Sequence, residues 1–214
     1  MKLYSYFRSS ASYRVRIALN LKGLPYDYMP VHLLRDGGEQ LAPAYRALHS
    51  DGLVPTLVDG GEPIQQSLAI VEYLDETHPE PPLLPRGPAA RAYVRALALQ
   101  VACEIHPLDN LRVLKYLTGA LGVSEEGKTA WYRHWVETGF ASLEERLAND
   151  VRRGMFCHGD QPTLADLCLI PQVFNAQRFQ IDMQPYPTIM RIHDAAMTLD
   201  AFVRASPGRQ PDAQ

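Results

Sequence analysis

The chain has 214 residues, 21 Lys+Arg against 24 Asp+Glu, a formal net charge of −3 at pH 7 and 46% hydrophobic residues. That length holds one large domain or two small ones and excludes a many-domain assembly, and the charge leaves no global attraction to nucleic acid or an anionic membrane. A compact fold of this mass exposes roughly 10,000 of the about 35,000 Å² open to the extended chain, so its own core suffices without a disulfide or metal.

Leu3 to Phe7 is short and aromatic-rich and predicts a strand, and Ser12 to Lys22 carries Val15, Ala18 and Leu19 at helical spacing before Gly23 stops it. Tyr26–Val31 predicts a second strand, Gln40–Leu48 a short helix and Val54–Val58 a third strand. Pro63–Ile64 forms a fourth after the Asp59-Gly60-Gly61 turn, and a helix runs from Ser67 to about Thr77. This order predicts a small α/β layer whose first two strands are parallel, joined by a right-handed crossover. Pro79, Pro81, Pro82, Pro85 and Pro88 then make a linker that neither helix nor central strand tolerates. Beyond it Val94, Leu97, Ala98, Val101 and Ile105 form one helical stripe, and Trp131, Trp135, Val136, Phe140, Leu143 and Leu147 another. The expected organisation is an α/β domain over 1–80, a linker over 81–88 and an all-helical domain over 89–214. Kinks are expected at Pro107 and Pro171 and a loose tail from Pro207.

The junction Arg8-Ser9-Ser10-Ala11-Ser12-Tyr13-Arg14-Val15-Arg16 feeds a strand into a helix N-terminus, where free N–H groups, the dipole and serine hydroxyls hold a thiolate, carboxylate or phosphate. Arg14 and Arg16 oppose that dipole, which points either to an anion nearby or to side chains reaching solvent around a cap by Ser10 or Ser12. Gln66-Ser67 opens a second helix after a strand, as a carboxylate cradle or an ordinary cap. Val54-Pro55 at the head of a strand predicts an edge or a cis turn that leaves the Val54 backbone open to a peptide-like ligand. His106, Asn110 and Arg112 cluster around Pro107, either aimed at a cleft or serving the carbonyls of a kink. Thr163-Leu164-Ala165-Asp166 fits a capping box, and Arg178 ends an apolar helix as a ligand or a dipole partner.

Cys103, Cys157 and Cys168 are odd in number without a CxxC pair, so the expectation is free thiols in a reducing, cytoplasmic setting. No apolar run nears the roughly 20 residues of a membrane span. No histidine spacing suits a metal, and GxGxxG, Walker and GxSxG motifs are missing.

These blocks together resemble the zeta class of glutathione transferases across nearly the whole chain: Tyr4–Ser10 with Arg14–Leu19, Val54-Pro55-Thr56-Leu57, Gln66–Ile70, Ala165–Leu169, Tyr186-Pro187 and Arg209–Asp212. The resemblance implies a thioredoxin-like N-terminal domain, an all-α C-terminal domain, a glutathione cofactor, a homodimer and cis–trans isomerisation of a maleyl dicarboxylic substrate, either maleylacetoacetate or maleylpyruvate. It assigns Ser9 and Ser10 to thiolate activation and Ser9, Val54, Gln66, Ser67, His106 and Asn110 to glutathione. Arg8, His106, Arg112 and Arg178 fall to the substrate. One departure is that zeta enzymes often read Ser-Ser-Cys where this chain has Ser9-Ser10-Ala11. A conjugating or dehalogenating transferase and a non-catalytic glutathione-binding protein stand as the alternatives.

Overall fold

The computed structural model describes residues 1–213, and two compact units emerge, Met1–Leu84 with Met197–Gln214, and Pro85–Ala196. The first is built on β1 (Lys2–Ser5), α1 (Ser10–Leu21), β2 (Asp27–Pro30), α2 (Pro43–Arg46), β3 (Thr56–Asp59), β4 (Glu62–Gln65) and α3 (Ser67–Thr77). The sheet order is β2-β1-β3-β4, with β1 and β2 parallel and the other pairs antiparallel. The parallel pair needs α1 as its crossover, and Leu3, Val15, Ile17, Leu19, Leu57, Ile70 and Leu74, all fully buried, fill the space between sheet and helices.

Several expectations shift. α1 starts two residues earlier than the apolar spacing indicates, because Ser9, rather than Ser10 or Ser12, adopts the extended cap conformation and accepts from the Ser12 N–H at 3.2 Å. The predicted helix over Gln40–Leu48 divides into a 3-10 turn (Glu39–Leu41) and α2, since Pro43 can only start a helical run. The segment after Met197 belongs to the first unit: α9 (Asp200–Ala205) lies on α1, with Asn20 donating to the Ala201 carbonyl and Tyr13 to that of Phe202. The end of the chain is anchored too. Asp212 accepts from the Phe7 N–H at 3.1 Å and the Tyr28 hydroxyl at 2.6 Å, so the residues from Pro207 to Asp212 are not the loose tail that composition predicts.

The second unit holds α4 (Pro88–Leu99), a π-helical segment (Gln100–Ile105), α5 (Leu111–Gly119), α6 (Glu125–Ala148), α7 (Leu164–Arg178) and α8 (Pro187–Ala196). The first predicted stripe is buried throughout, and its last two members lie on the π-helical segment. The second stripe is buried from Val136 to Leu147, while Trp131 and Trp135 are half-buried and Tyr132 between them is buried instead. Helical structure ends before Pro107 rather than kinking through it, and α7 runs on through Pro171. Asp166 completes the capping box: Oδ2 accepts from the Thr163 N–H at 2.8 Å and Oδ1 from the Cys157 N–H at 2.8 Å. Gly139 of α6 packs against the Ile105 side chain, an approach that leaves no room for a β-carbon.

Candidate active site

In the first unit, β1 turns into α1 through Tyr6–Ser9. Arg16 holds that turn from behind. It is fully buried and donates from Nη2 to the Phe7 carbonyl (2.9 Å), from Nη1 to the Tyr6 carbonyl (3.3 Å) and Ser5 Oγ (3.1 Å), and from Nε to the Ala205 carbonyl (2.9 Å). Burial pushes its pKa down, opposed by the surrounding tyrosines and Asp212. Neither reading of its place in the first turns holds: it faces backbone carbonyls, not an anion and not water. Ser9 therefore sits on a fixed platform, half-buried, with its oxygen occupied by the Ser12 N–H. A hydroxyl oxygen that accepts in this way keeps its own proton to donate. Ser10 follows in the same turn and is buried, and Arg8 donates from Nε and Nη2 to the Tyr6 hydroxyl at 3.2 and 2.9 Å, its guanidinium also near the Phe7 ring.

At the other end of the sheet, β4 passes into α3 through Gln66, whose φ of 67° and ψ of 115° is a backbone state that non-glycine residues rarely adopt. Such strain costs about 1–3 kcal/mol and gathers at ligand clamps. α3 has no side-chain cap, so the N–H groups of its first turn point outward without a protein acceptor from a capping side chain. Ser67, buried at this terminus, accepts from Arg14 Nη1 at 3.2 Å. The Arg14 Nε and Nη2 are buried with no partner. Val54 precedes a cis Pro55 and lies two residues ahead of Thr56, the first residue of the β3 ladder. Arg14 thus links the α1 terminus, with Ser9 and Ser10, to the α3 terminus, with Gln66 and Ser67.

In the second unit, His106–Asn110 forms the turn between the π-helical segment and α5. Asn110 caps α5, its Oδ1 accepting from the Arg112 and Val113 N–H groups at 3.0 and 3.3 Å, which leaves its amide NH₂ for a ligand. Arg112 and Arg178 are exposed, and His106 is half-buried. Arg178 stands over the Phe179 ring at 4.5 Å, and Phe179 stacks on Tyr132 with centroids 3.6 Å apart.

Two groups emerge here that the sequence reading did not assign. Asp109 is buried with both carboxyl oxygens unpartnered, and burial pushes its pKa up to about 8. Tyr132 is 1% exposed, and its hydroxyl is pushed above the ordinary range by burial, with Asp109 adding to the shift and Arg178 opposing it. Arg178 therefore belongs electrostatically with Tyr132, on which Asp109 acts in the opposite sense, whereas Asn110 and Arg112 gather at the α5 cap. Asp109 lies inside the His106–Arg112 stretch, but nothing local marks a carboxyl that the fold buries. Among the described residues no group of three or more His, Cys, Asp or Glu could hold a metal, and no helix is long and apolar enough to cross a membrane.

Residues 3–82 match the family model for the glutathione S-transferase N-terminal domain. A probable maleylacetoacetate isomerase of Vibrio cholerae serotype O1 is 52% identical over 211 residues, covering 99% of this chain and 97% of that protein. Among solved structures, a holo maleylpyruvate isomerase described as a bacterial zeta-class glutathione S-transferase superposes with a TM-score of 0.97 at 48% identity over the whole of both chains. A maleylacetoacetate isomerase from Methylobacterium extorquens AM1, with malonate and GSH bound, superposes with a TM-score of 0.96 at 46% identity, again over both whole chains.

Proposed function

This chain belongs to the zeta class of glutathione transferases, and from that membership we propose that it is a glutathione-dependent cis–trans isomerase converting maleylacetoacetate to fumarylacetoacetate. Maleylpyruvate is the second reading, favoured by the likeness to the holo maleylpyruvate isomerase. The observation that carries glutathione dependence is the pair of helix N-termini in the first unit. One is capped by a serine that keeps a donor proton, and the other is uncapped with Ser67 set against a buried guanidinium.

This donor set fits a tripeptide thiol with carboxylates. Ser67 and the first turn of α3 suit a carboxylate, the Val54 backbone and Gln66 suit a peptide, and Ser9 with the α1 dipole suits a thiolate. When bound, glutathione supplies a thiolate that adds reversibly to a cis double bond, making its axis rotatable. Ser9 donates its hydroxyl proton toward the sulfur, holding it ionised below the usual thiol pKa of about 8.5, with Ser10 in the same turn. Ala11 leaves no protein thiol at the α1 terminus, so the nucleophile is the cofactor's, and the fold does not act as a thiol–disulfide oxidoreductase through that helix. A maleyl substrate carries two acid functions, and Arg178 grips one of them. Arg8, His106 and Arg112 shape the rest, with the Asn110 amide assisting at the glutathione. Tyr132 and Phe179 keep Arg178 beside an apolar wall. Membership of the class carries the reading of a homodimer, and three cysteines outside any disulfide suit a reducing, cytoplasmic setting.

The test follows the enol absorbance of maleylacetoacetate and maleylpyruvate with and without catalytic glutathione. Fast glutathione-dependent formation of the fumaryl isomer is expected, and the larger kcat/KM names the substrate. Stoichiometric loss of glutathione points to conjugation, and glutathione binding with no turnover of either substrate refutes the isomerase.

A further inference from the structure

Two arginines lie two residues apart on α1, both buried, and they differ in what surrounds them. Arg16 satisfies its guanidinium with carbonyls and a hydroxyl, whereas Arg14, 2% exposed, makes one hydrogen bond, from Nη1 to Ser67 Oγ at 3.2 Å, and leaves Nε and Nη2 buried without a partner. A guanidinium only donates, so this bond makes Ser67 Oγ the acceptor and turns the one serine proton toward a different acceptor. Ser67 opens α3, an 11-residue helix with no capping side chain, so the N–H groups of the first turn and the positive end of the dipole meet at the same point. A buried, unpaired cation is costly, and the cost falls when an anion settles near it. The acceptor that satisfies the serine proton, the helix terminus and the unmatched charge together is a carboxylate.

We propose that Arg14 is a positioning residue for the α-carboxylate of the γ-glutamyl group of glutathione. It fixes Ser67 as a donor to that carboxylate and stands behind the α3 terminus as an uncompensated positive charge. The proposal rests on the glutathione-dependent reading above and assigns a task to a residue buried beneath the binding surface.

The experiment is calorimetric binding of two ligands, glutathione and 4-aminobutanoyl-Cys-Gly, the same molecule without the α-carboxylate, to wild type, Arg14→Met and Arg14→Lys. For glutathione, Kd rises by about tenfold or more in Arg14→Met and by less in Arg14→Lys, which keeps a charge and a donor. For the decarboxylated ligand the three proteins agree within about twofold. The ligand-free Arg14→Met protein unfolds at the wild-type temperature or above it, because the charge removed had no anion to orphan and Ser67 keeps its own proton to donate. A purely structural role predicts the reverse, a lower unfolding temperature with both ligands weakened alike. Equal glutathione affinity in all three proteins, or equal losses for the two ligands, overturns the proposal. If Arg14→Met does not fold, Arg14→Lys carries the same comparison. A wild-type protein that binds no glutathione at all overturns the glutathione reading itself, a result distinct from tight wild-type binding with indifferent variants.

Discussion

Replacing Ser9 with alanine separates the two tasks of one hydroxyl. In the structure Ser9 Oγ accepts from the Ser12 N–H at 3.2 Å and so caps α1, while its proton is left to donate to a bound sulfur. Loss of the cap costs about 1 kcal/mol, which for a chain of this size lowers Tm by about 2–4 °C. A hydrogen bond to an ionised group contributes about 1.5–3 kcal/mol, so removing it raises the pKa of the bound thiol by about one to two units. Isomerisation at pH values below that pKa then slows about tenfold to a hundredfold, because the thiolate fraction falls tenfold per unit. The assay is an ultraviolet thiolate titration of the glutathione complex, run beside thermal unfolding, with Ser9→Thr as the variant that keeps both the cap and the hydroxyl. A Ser9→Ala protein with lowered Tm, glutathione bound and an unmoved thiol pKa would refute the reasoning and leave Ser9 as a cap alone.

Arg178→Ala should raise KM for the maleyl substrate by about tenfold or more with the thiol titration unchanged, and steady-state kinetics showing an unaltered KM would remove Arg178 from the site. Asp109 is raised in the fold from 3.8 to about 8, so its contribution to stability is fully present below about pH 4 and is lost as the pH climbs toward 8. At up to about 1.4 kcal/mol per unit, halved for relaxation, roughly 2 kcal/mol disappears between pH 4 and pH 7. Asp109→Asn is therefore more stable than wild type at pH 7 but not at pH 4 in denaturant titrations, and parallel pH profiles would show Asp109 ionised in the fold. Gly139→Ala brings a β-carbon into Ile105, and although alanine favours a helix the overlap should cost about 1–3 kcal/mol, read as a fall in Tm. A gain in Tm would mean that the π-helical segment yields freely.

Much of this protein is written in local patterns. The stripe Val94–Ile105 and the residues Val136, Phe140, Leu143 and Leu147 repeat at helical spacing and are buried. The parallel pairing of β1 and β2 follows from a strand–helix–strand order that closes in only one hand. The starts of α1 and α3 were legible because serine after a strand and before an apolar run is a local signal, although the cap of α1 is Ser9 and not Ser10 or Ser12.

The partners of the buried charges were not legible. Arg16 meets Ala205 across 189 residues and Arg14 meets Ser67 across 53, separations over which no periodicity in sequence carries information. The capping of α1 by Ser9 turned on a single backbone conformation, and the capture of Met197–Gln214 by the first unit turned on carbonyls of α9 offered to α1. Asp109 shows the same division most plainly: its sequence neighbours mark a polar turn, and only burial in the fold takes water from its carboxyl and raises its pKa to about 8. Composition and spacing thus determined the elements, their order and the helix termini that can hold anions, because those depend on residues within a turn of one another. Which buried donors stay unmatched, and so which charges await a ligand, was decided by tertiary packing alone, because desolvation is a property of everything that closes around a group.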